Sequence, residues 1–246
     1  MSTEFRAGRE EDRMNIVWNE RTARWFADAS AYTGYHRRLA AVLLGLLPGR
    51  GTLADMGCGT GLIDMELAGH YDRVTCVDVN AEALSFLHTA AAGRGIENIE
   101  TRLCDAAEVT ETFDDVIAVF HGSPEAFARR YIPLAKGGFA AVVHSSPEGR
   151  LGPENYRNRR DDTAKSTVEL FTKLGIEYKR TDISIEYGQP LKSMEDARDF
   201  TRAYSDSPPE SAVDEYLERN LVRTGERDFP LYLPNEKTFS IFSVLK

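Results

Sequence analysis

A regular alternation of strand and helix patterns between residues 51 and 146 constrains the fold more than any other feature of this sequence. Apolar runs rich in β-branched residues, such as RVTCVDVN and FDDVIAVFH, alternate with helical segments such as AEALSFLHTAAAGRG. Two parallel strands of one sheet need a crossover connection, which is usually a helix. The alternation therefore predicts a mostly parallel, doubly wound sheet with helices on both faces.

Helical and strand patterns also flank this region. A helical pattern covers residues 15–47, is interrupted at residues 30–36 and ends at the Pro-Gly-Arg-Gly turn of residues 48–51. After Ser146 the sequence predicts, in chain order, a helix over 158–174, a strand within 176–188, helices over 193–204 and 209–223, and a strand over 237–246.

Composition and charge exclude several classes of function. The chain has 246 residues, 28% of them charged, and its formal net charge of −9 argues against a broad nucleic-acid-binding surface. Its three cysteines form no CxxC pair, so we expect no metal site and no disulfide framework. Neither a signal peptide nor an apolar run of membrane-spanning length is evident. We therefore expect a cytoplasmic protein that binds neither nucleic acid nor membrane.

The segment ADMGCGTG follows the first predicted strand and contains Gly57, Gly59 and Gly61. A dinucleotide-binding fingerprint would need glycine where Leu62 stands, and the Gly-Lys-Ser/Thr sequence that binds phosphates is absent. Asp55, at the end of the strand, would repel a pyrophosphate but attract a cationic group such as an ammonium. The loop therefore favours a positively charged nucleoside without phosphate groups.

Three successive predicted strands end in an aspartate, at Asp55, Asp78 and Asp105. Ligands of open α/β folds bind at the carboxyl ends of the strands, which meet at one edge of the sheet. There Asp78 can accept hydrogen bonds from both ribose hydroxyls, and Asp105 can accept one from an adenine amino group. A single strand-end aspartate could simply cap a helix, but three in register favour a nucleoside site.

Five segments in order resemble the successive motifs of class I S-adenosylmethionine-dependent methyltransferases: LADMGCGTG, VTCVDVN, LCDAAEV, FDDVIAVFH and LAKGGFAAVV. The resemblance covers residues 50–145. It implies a Rossmann-like, seven-stranded, mostly parallel sheet with an antiparallel last strand. It also implies S-adenosylmethionine as the cofactor, S-adenosylhomocysteine as its product and methyl transfer as the reaction.

The resemblance implies roles for individual residues. The three glycines of the loop would let the backbone approach the methionine and ribose portions of the cofactor, and Asp55 would face the methionine ammonium, directly or through water. Asp78 would hold the ribose, while Val79 packs on adenine. The other implied contacts, at the adenine edge and beside the methionine portion, are Asp105, Ala106 and Phe120.

His121 is the candidate general base, because it follows the fourth strand at the expected pocket mouth and histidine titrates near neutral pH. A capping or packing role for His121 is an equally good interpretation. His144 is a weaker pocket candidate, and Cys58 more readily fills a tight turn than acts as a nucleophile. The arginines within residues 157–160 could steer an anionic substrate, although a solvated face is the simpler interpretation.

We expect an N-terminal helical lid over residues 1–48, a cofactor-binding core over 49–187, a substrate-cap insertion over 188–232 and the last strand of the core sheet over 233–246. The aromatic residues of the lid either cover the core or close the cofactor pocket; they are Trp18, Trp25, Tyr32 and Tyr35. Of these, Tyr32 and Tyr35 are the candidate cofactor contacts.

The predicted function is methyl transfer from S-adenosylmethionine to a small-molecule acceptor. The Asn/Asp-Pro-Pro-Tyr sequence that accompanies amide or base-amine methylation is absent after the fourth strand, where the chain reads Phe-His-Gly-Ser-Pro. A non-catalytic S-adenosylmethionine-binding protein is one alternative. An NAD-dependent dehydrogenase is another, disfavoured by Leu62 and Asp55. The sequence identifies neither the acceptor atom nor the oligomeric state.

Overall fold

The computed structural model describes residues 19–145, 151–157 and 163–246. Trp18, Arg159 and Arg160 therefore lie outside the described residues. The strands are, in chain order, β1 Thr52–Met56, β2 Arg73–Asp78, β3 Ile99–Leu103, β4 Phe113–Val119, β5 Ala135–His144, β6 Lys179–Glu186, β7 Gln189–Leu191, β8 Val222–Arg223, β9 Leu231–Leu233 and β10 Glu236–Leu245. The α-helices are α1 Glu20–Thr33, α2 Tyr35–Leu44, α3 Leu62–Leu67, α4 Ala81–Gly93, α5 Pro124–Ala126, α6 Ile132–Leu134, α7 Thr163–Leu174, α8 Met194–Ala203 and α9 Glu210–Asn220.

Seven of the strands form one sheet in the order β3-β2-β1-β4-β5-β10-β6. The pairs from β3 to β5 are parallel, whereas β10 runs antiparallel to both of its neighbours. This arrangement confirms the predicted seven-stranded, mostly parallel sheet with an antiparallel last strand. The chain reverses its direction of strand addition between β1 and β4, which is where ligands bind in sheets of this kind.

Both faces of the sheet are buried by helices because side chains alternate between the faces along each strand. On one face Leu53 packs with residues of α2, α3 and α4. On the other face Ala54 and Met56 pack with the helical segment that follows β4 and with α7. Asp55 shares the first face with Leu53, so the strand places a carboxyl group inside an otherwise apolar layer.

The segment between β6 and β10 forms a separate small layer. Strands β7, β9 and β8 make a three-stranded antiparallel sheet, and α8 and α9 accompany it. Its buried residues are Leu191, Ala197, Phe200, Val213, Leu217, Leu231 and Leu233, joined by Trp25 of α1. The sequence predicts the two helices but not this sheet, because strands of two or three residues are too short to show a period.

The N-terminal helical segment breaks where the sequence predicts an interruption. Gly34 has a φ of 66°, ends α1 and begins α2. That left-handed conformation costs glycine little, so the chain can turn sharply there. Among the described residues, no helix combines the length and apolar character needed to cross a membrane.

Candidate functional site

The three strand-end aspartates occupy the carboxyl edge of adjacent strands. Asp55 lies in β1, Asp78 ends β2, and Asp105 follows β3 by two residues. Since β3, β2 and β1 are neighbours in the sheet, the structure brings these residues to one edge, beside the loop that leaves β1. The edge is therefore acidic, as the sequence predicts.

The glycine loop adopts a backbone conformation that other residues rarely take. Gly57, Gly59 and Gly61 have φ values of 80°, 56° and 64°. A side chain at Gly57 would overlap the imidazole of His121, and one at Gly61 would overlap the side chain of Leu87. These two glycines are thus required by packing within the protein as well as by any ligand that the loop binds.

Asp78 holds the loop in place. Its carboxylate accepts hydrogen bonds from the Gly59 N–H at 2.8 Å and from the Asn80 N–H at 2.8 Å. Asn80, not Asp78, caps α4, by accepting from the Ala83 N–H at 3.0 Å. The simple helix-capping interpretation therefore does not apply to Asp78, which connects the ends of β1 and β2.

Asp105 does act as a cap. Its side chain accepts from the Ala107 N–H at 2.7 Å at the start of a short 3₁₀ helix. Ala106 is buried, whereas Val79, next to Asp78, is 67% exposed. An exposed apolar side chain between two strand-end carboxylates is suited to packing against a planar ring.

Asp55 and Asp64 form a buried carboxyl pair. Asp55 is 1% exposed and Asp64, in the first turn of α3, is 0% exposed. No described group makes a hydrogen bond of ordinary geometry to any of their four carboxyl oxygens. Burial raises the pKa of Asp64 to about 6, and burial together with the nearby Asp64 raises the pKa of Asp55 well above its usual value.

Buried carboxyl groups without hydrogen-bond partners, such as this pair beside the glycine loop, are unusual in proteins. Buried polar atoms are nearly always hydrogen-bonded, so four unsatisfied carboxyl oxygens require an explanation. Ionising both of two close carboxyl groups in an apolar layer costs much free energy, and one proton shared between them removes the repulsion. An arriving cation would relieve it equally well.

His121 lies over the glycine loop. Its ring stacks on Tyr131 at a centroid distance of 6.4 Å and packs against Gly57. Desolvation of the ring lowers the pKa of His121, opposed by the negative charges of Asp78 and Asp105. The imidazole is therefore neutral at pH 7 and able to accept a proton.

Phe120, the residue before His121, points to the opposite face of the sheet. Its ring stacks on His144 at 4.6 Å and meets Phe239 edge-on at 5.6 Å. Phe120 has a φ of 54°, a left-handed conformation that is strained for a bulky residue. Strain of this kind concentrates at functional sites.

An aromatic cluster surrounds a lysine next to Phe120. We define the Lys237 cluster as Lys237 with Phe120, Tyr35, Tyr187, His144 and Phe239. The Lys237 ammonium nitrogen lies 3.6 Å from the ring centroid of Phe120 and 5.5 Å from those of Tyr35 and Tyr187. Tyr35 and Tyr187 pack on each other at 4.2 Å. The cluster joins α2, the ends of β4 and β5, the start of β10 and the turn between β6 and β7.

Two other aromatic residues of the N-terminal segment contact the small layer formed by β7, β8, β9, α8 and α9. Trp25 is buried against Phe200 at 5.3 Å, and its indole N–H donates to Asp196 at 3.0 Å. Tyr32 packs on Tyr232 at 5.0 Å. Tyr35 alone among the described aromatic candidates of that segment joins the Lys237 cluster.

Sequence reasoning missed Asp64, Lys237 and Tyr187. Asp64 leaves a detectable signal, because it is the single charged residue of LIDM in a helix whose other early positions are apolar. Lys237 and Tyr187 leave none, because they come together only through the pairing of β6 with β10.

A family model described as a methyltransferase domain matches residues 53–138. The probable cobalt-precorrin-6B C(15)-methyltransferase (decarboxylating) of Methanothermobacter thermautotrophicus is 39% identical over 79 residues, 31% of this chain and 41% of that protein. Residues 53–138 are thus similar to a methyltransferase domain. The chain spans about two fifths of the length of the curated methyltransferase that it matches.

Two solved structures illustrate the fold that this chain shares with other proteins. Precorrin 8W decarboxylase of Methanobacterium thermoautotrophicum has a TM-score of 0.53 and 18% identity, covering 84% of this chain and 89% of that chain. The cyclase SpnF has a TM-score of 0.50 and 16% identity, covering 85% of this chain and 81% of that chain. At these identities the likeness shows a shared fold alone.

Proposed function

We propose that this chain transfers a methyl group from S-adenosylmethionine to a small-molecule acceptor. The observation that carries the proposal is the junction at Asp78. A strand-end carboxylate holds a glycine loop of positive φ at the switch point of the sheet, where it can also accept from a ribose.

The residues present fit the cofactor. The acidic edge suits a ligand that carries both an ammonium and a sulfonium, and the unsatisfied Asp55–Asp64 pair provides negative charge beside the loop. Asp78 would hold the ribose hydroxyls, and exposed Val79 would cover one face of adenine, with Asp105 and Ala106 at the ring edge. The bound cofactor supplies an electrophilic methyl group.

The remaining work of the chain is to orient the acceptor, exclude water and move a proton where the acceptor requires it. Alignment of the reacting atoms is the main requirement of such a transfer. The small layer formed by β7 to β9, α8 and α9 would act as the substrate cap, and α1 and α2 as a lid, since Trp25 and Tyr32 tie them together. His121, neutral at pH 7, is the proposed base.

A small-molecule acceptor is supported by three observations. The net charge of −9 disfavours a polyanionic nucleic acid. The aromatic Lys237 cluster lies at the end of β4, where its rings would hold a small planar acceptor. The curated relative is named for a cobalt-precorrin substrate, which is also a small molecule.

Calorimetric titration tests cofactor binding. We expect saturable binding of S-adenosylmethionine and S-adenosylhomocysteine and none of NAD. Asp78→Ala should weaken S-adenosylhomocysteine binding by roughly 2–3 kcal/mol, because it removes a charged acceptor from two hydroxyls. The control is Asp214→Ala, which removes a carboxylate paired with Arg198 at 2.8 Å in the cap. Equal affinity of the Asp78 variant and wild type would refute the assignment.

Transfer itself needs its own assay, because the related fold of SpnF belongs to a protein described as a cyclase. We expect labelled methyl groups to pass from the cofactor to a compound in a metabolite extract. Tight cofactor binding without any labelled product would favour the non-catalytic alternative.

A further inference from the structure

We propose that the Lys237 cluster binds the acceptor and that the acceptor is a planar, conjugated acid whose anionic group is held by the Lys237 ammonium. This inference rests on the proposed function and names its substrate class. It is carried by the position of one cation among aromatic rings at the carboxyl edge of the sheet.

The cation is held by ring faces from separate parts of the chain. Phe120 comes from the end of β4, Tyr35 from the start of α2, and Tyr187 from the turn between β6 and β7. A cation–π contact stabilises an ammonium by about 0.5–1 kcal/mol at exposed sites and more where water is excluded. The rings therefore hold the Lys237 ammonium in one position, which lies where the core sheet, the proposed lid and the proposed cap meet.

The surroundings suit a flat apolar body attached to the anion. The rings of Phe120 and His144 stack at an interplanar angle of 27°, and those of Tyr35 and Tyr187 pack at a tilt of 32°. Planar rings prefer to pack on rings in offset or edge-to-face arrangements. Phe120 has a strained φ of 54°, and its ring faces the Lys237 ammonium while it also packs against Phe239.

Charge is divided between the two sides of the β4 end. Asp55, Asp78 and Asp105 lie at the ends of β1 to β3, whereas Lys237 lies across β4 and β5 from them. Glu236 and its cross-strand neighbour Glu186 flank Lys237, so the charge that an anionic acceptor would meet there is that of the Lys237 ammonium itself. A cationic cofactor would meet the three strand-end carboxylates. Electrostatic complementarity of this kind selects partners and rejects wrong ones.

Two other interpretations predict different behaviour. Lys237 could serve only as a packing residue, with its stem on the rings and its charge towards water. Alternatively, its ammonium could occupy a site built for a cationic acceptor, which would displace it. The test therefore compares ligands of the same size and different charge.

The experiment uses the full chain saturated with S-adenosylhomocysteine. Three para-hydroxylated aromatic probes of similar size are titrated by calorimetry or by fluorescence: 4-hydroxybenzoate, its planar neutral analogue 4-hydroxybenzamide, and the cationic amine tyramine. We expect the acid to bind at least about tenfold more tightly than the amide or the amine. Lys237→Met should abolish this preference while leaving S-adenosylhomocysteine affinity unchanged, and Lys237→Arg should retain part of it.

Lys192 offers a matched control. Its ammonium nitrogen lies 6.0 Å from the ring centroid of Phe229, so Lys192→Met removes a similar cation–π lysine elsewhere. We expect this variant to keep the preference for the acid.

The inference is overturned if acid and amide bind equally or not at all to protein that binds S-adenosylhomocysteine. It is also overturned if Lys237→Met leaves the preference intact or gains affinity for tyramine. Failure of wild type to bind S-adenosylhomocysteine would instead refute the proposed function, and this inference with it.

Discussion

Replacing Asp64 by asparagine should stabilise the protein at neutral pH. Asp64 and Asp55 are buried in the apolar layer beneath β1, and none of their carboxyl oxygens has a hydrogen-bond donor of ordinary geometry among the described residues. An asparagine has nearly the same shape, carries no charge and offers an N–H to Asp55. The perturbation thus removes one charge without opening a cavity.

The magnitude follows from the pKa of Asp64. Burial raises it to about 6 from an ordinary value of 3.8. A group whose pKa is higher in the folded state binds its proton more tightly there, so the folded state loses stability as pH rises from about 4 to 6. Fully ionised, Asp64 costs about 3 kcal/mol relative to a neutral side chain. Asp64→Asn should therefore raise the free energy of unfolding by much of this amount above pH 7 and by almost nothing below pH 4.

Denaturant unfolding followed by circular dichroism measures this difference. Wild type and Asp64→Asn are compared at about pH 4, 5.5 and 7.5, with the free energy of unfolding extrapolated to water. The control is Asp72→Asn, since Asp72 is exposed in the turn before β2 and should change stability by less than about 0.5 kcal/mol.

The pH dependence of the difference decides the outcome. A difference that is the same at all three pH values would show that Asp64 does not titrate in this range. A loss of stability at pH 7.5 would show that the ionised carboxylate has a favourable partner, and the argument from an unsatisfied pair would be wrong.

Three further predictions concern Trp25, His121 and Cys58. Trp25→Ala should lower the free energy of unfolding by about 3–5 kcal/mol, because it leaves a cavity in the cluster that Trp25 of α1 forms with the small layer. A loss below about 1 kcal/mol in chemical denaturation would contradict that packing. His121→Ala should lower turnover by 10²–10⁴ with a protonated acceptor, and a fall of less than about fivefold in a steady-state assay would assign His121 to packing. Cys58 should react with a thiol reagent at pH 8 at least 100 times more slowly than free cysteine. A hydrogen bond with Cys76 lowers the pKa of Cys58, but burial and the negative charges of nearby aspartates together outweigh it and raise that pKa to about 12; a rate near that of free cysteine would refute this.

The core fold could be predicted from the sequence because its signals are local. β1, β2 and β4 read as apolar strands, and glycine follows β1 while aspartate ends β2. The rule that ligands meet the carboxyl ends of parallel strands places Asp78 at the candidate site. The interruption near Gly34 follows from glycine chemistry in the same way. Each inference uses residues close together in the chain.

The features that could not be predicted depend on distant parts of the chain. The Asp55–Asp64 pair requires α3 to pack on the face of β1 that carries Asp55. The Lys237 cluster requires the pairing of β10 with β5 and the placement of Tyr35 beside Tyr187. No periodicity within a single helix or strand predicts these contacts, because they arise from tertiary packing.

The end of β4 explains how one sheet edge can serve two ligands of opposite charge. Phe120 has a φ of 54° and Gly122 a φ of 84°, so two of three consecutive residues are left-handed. Shortly afterwards Phe127–Tyr131 forms a π-helical turn, a feature often found at functional sites, which places Tyr131 beneath His121. As a result Phe120 faces the Lys237 cluster while His121 faces the glycine loop and its carboxylates. Adjacent residues thus border both proposed sites, with Phe120 beside the proposed acceptor site and His121 beside the proposed cofactor site.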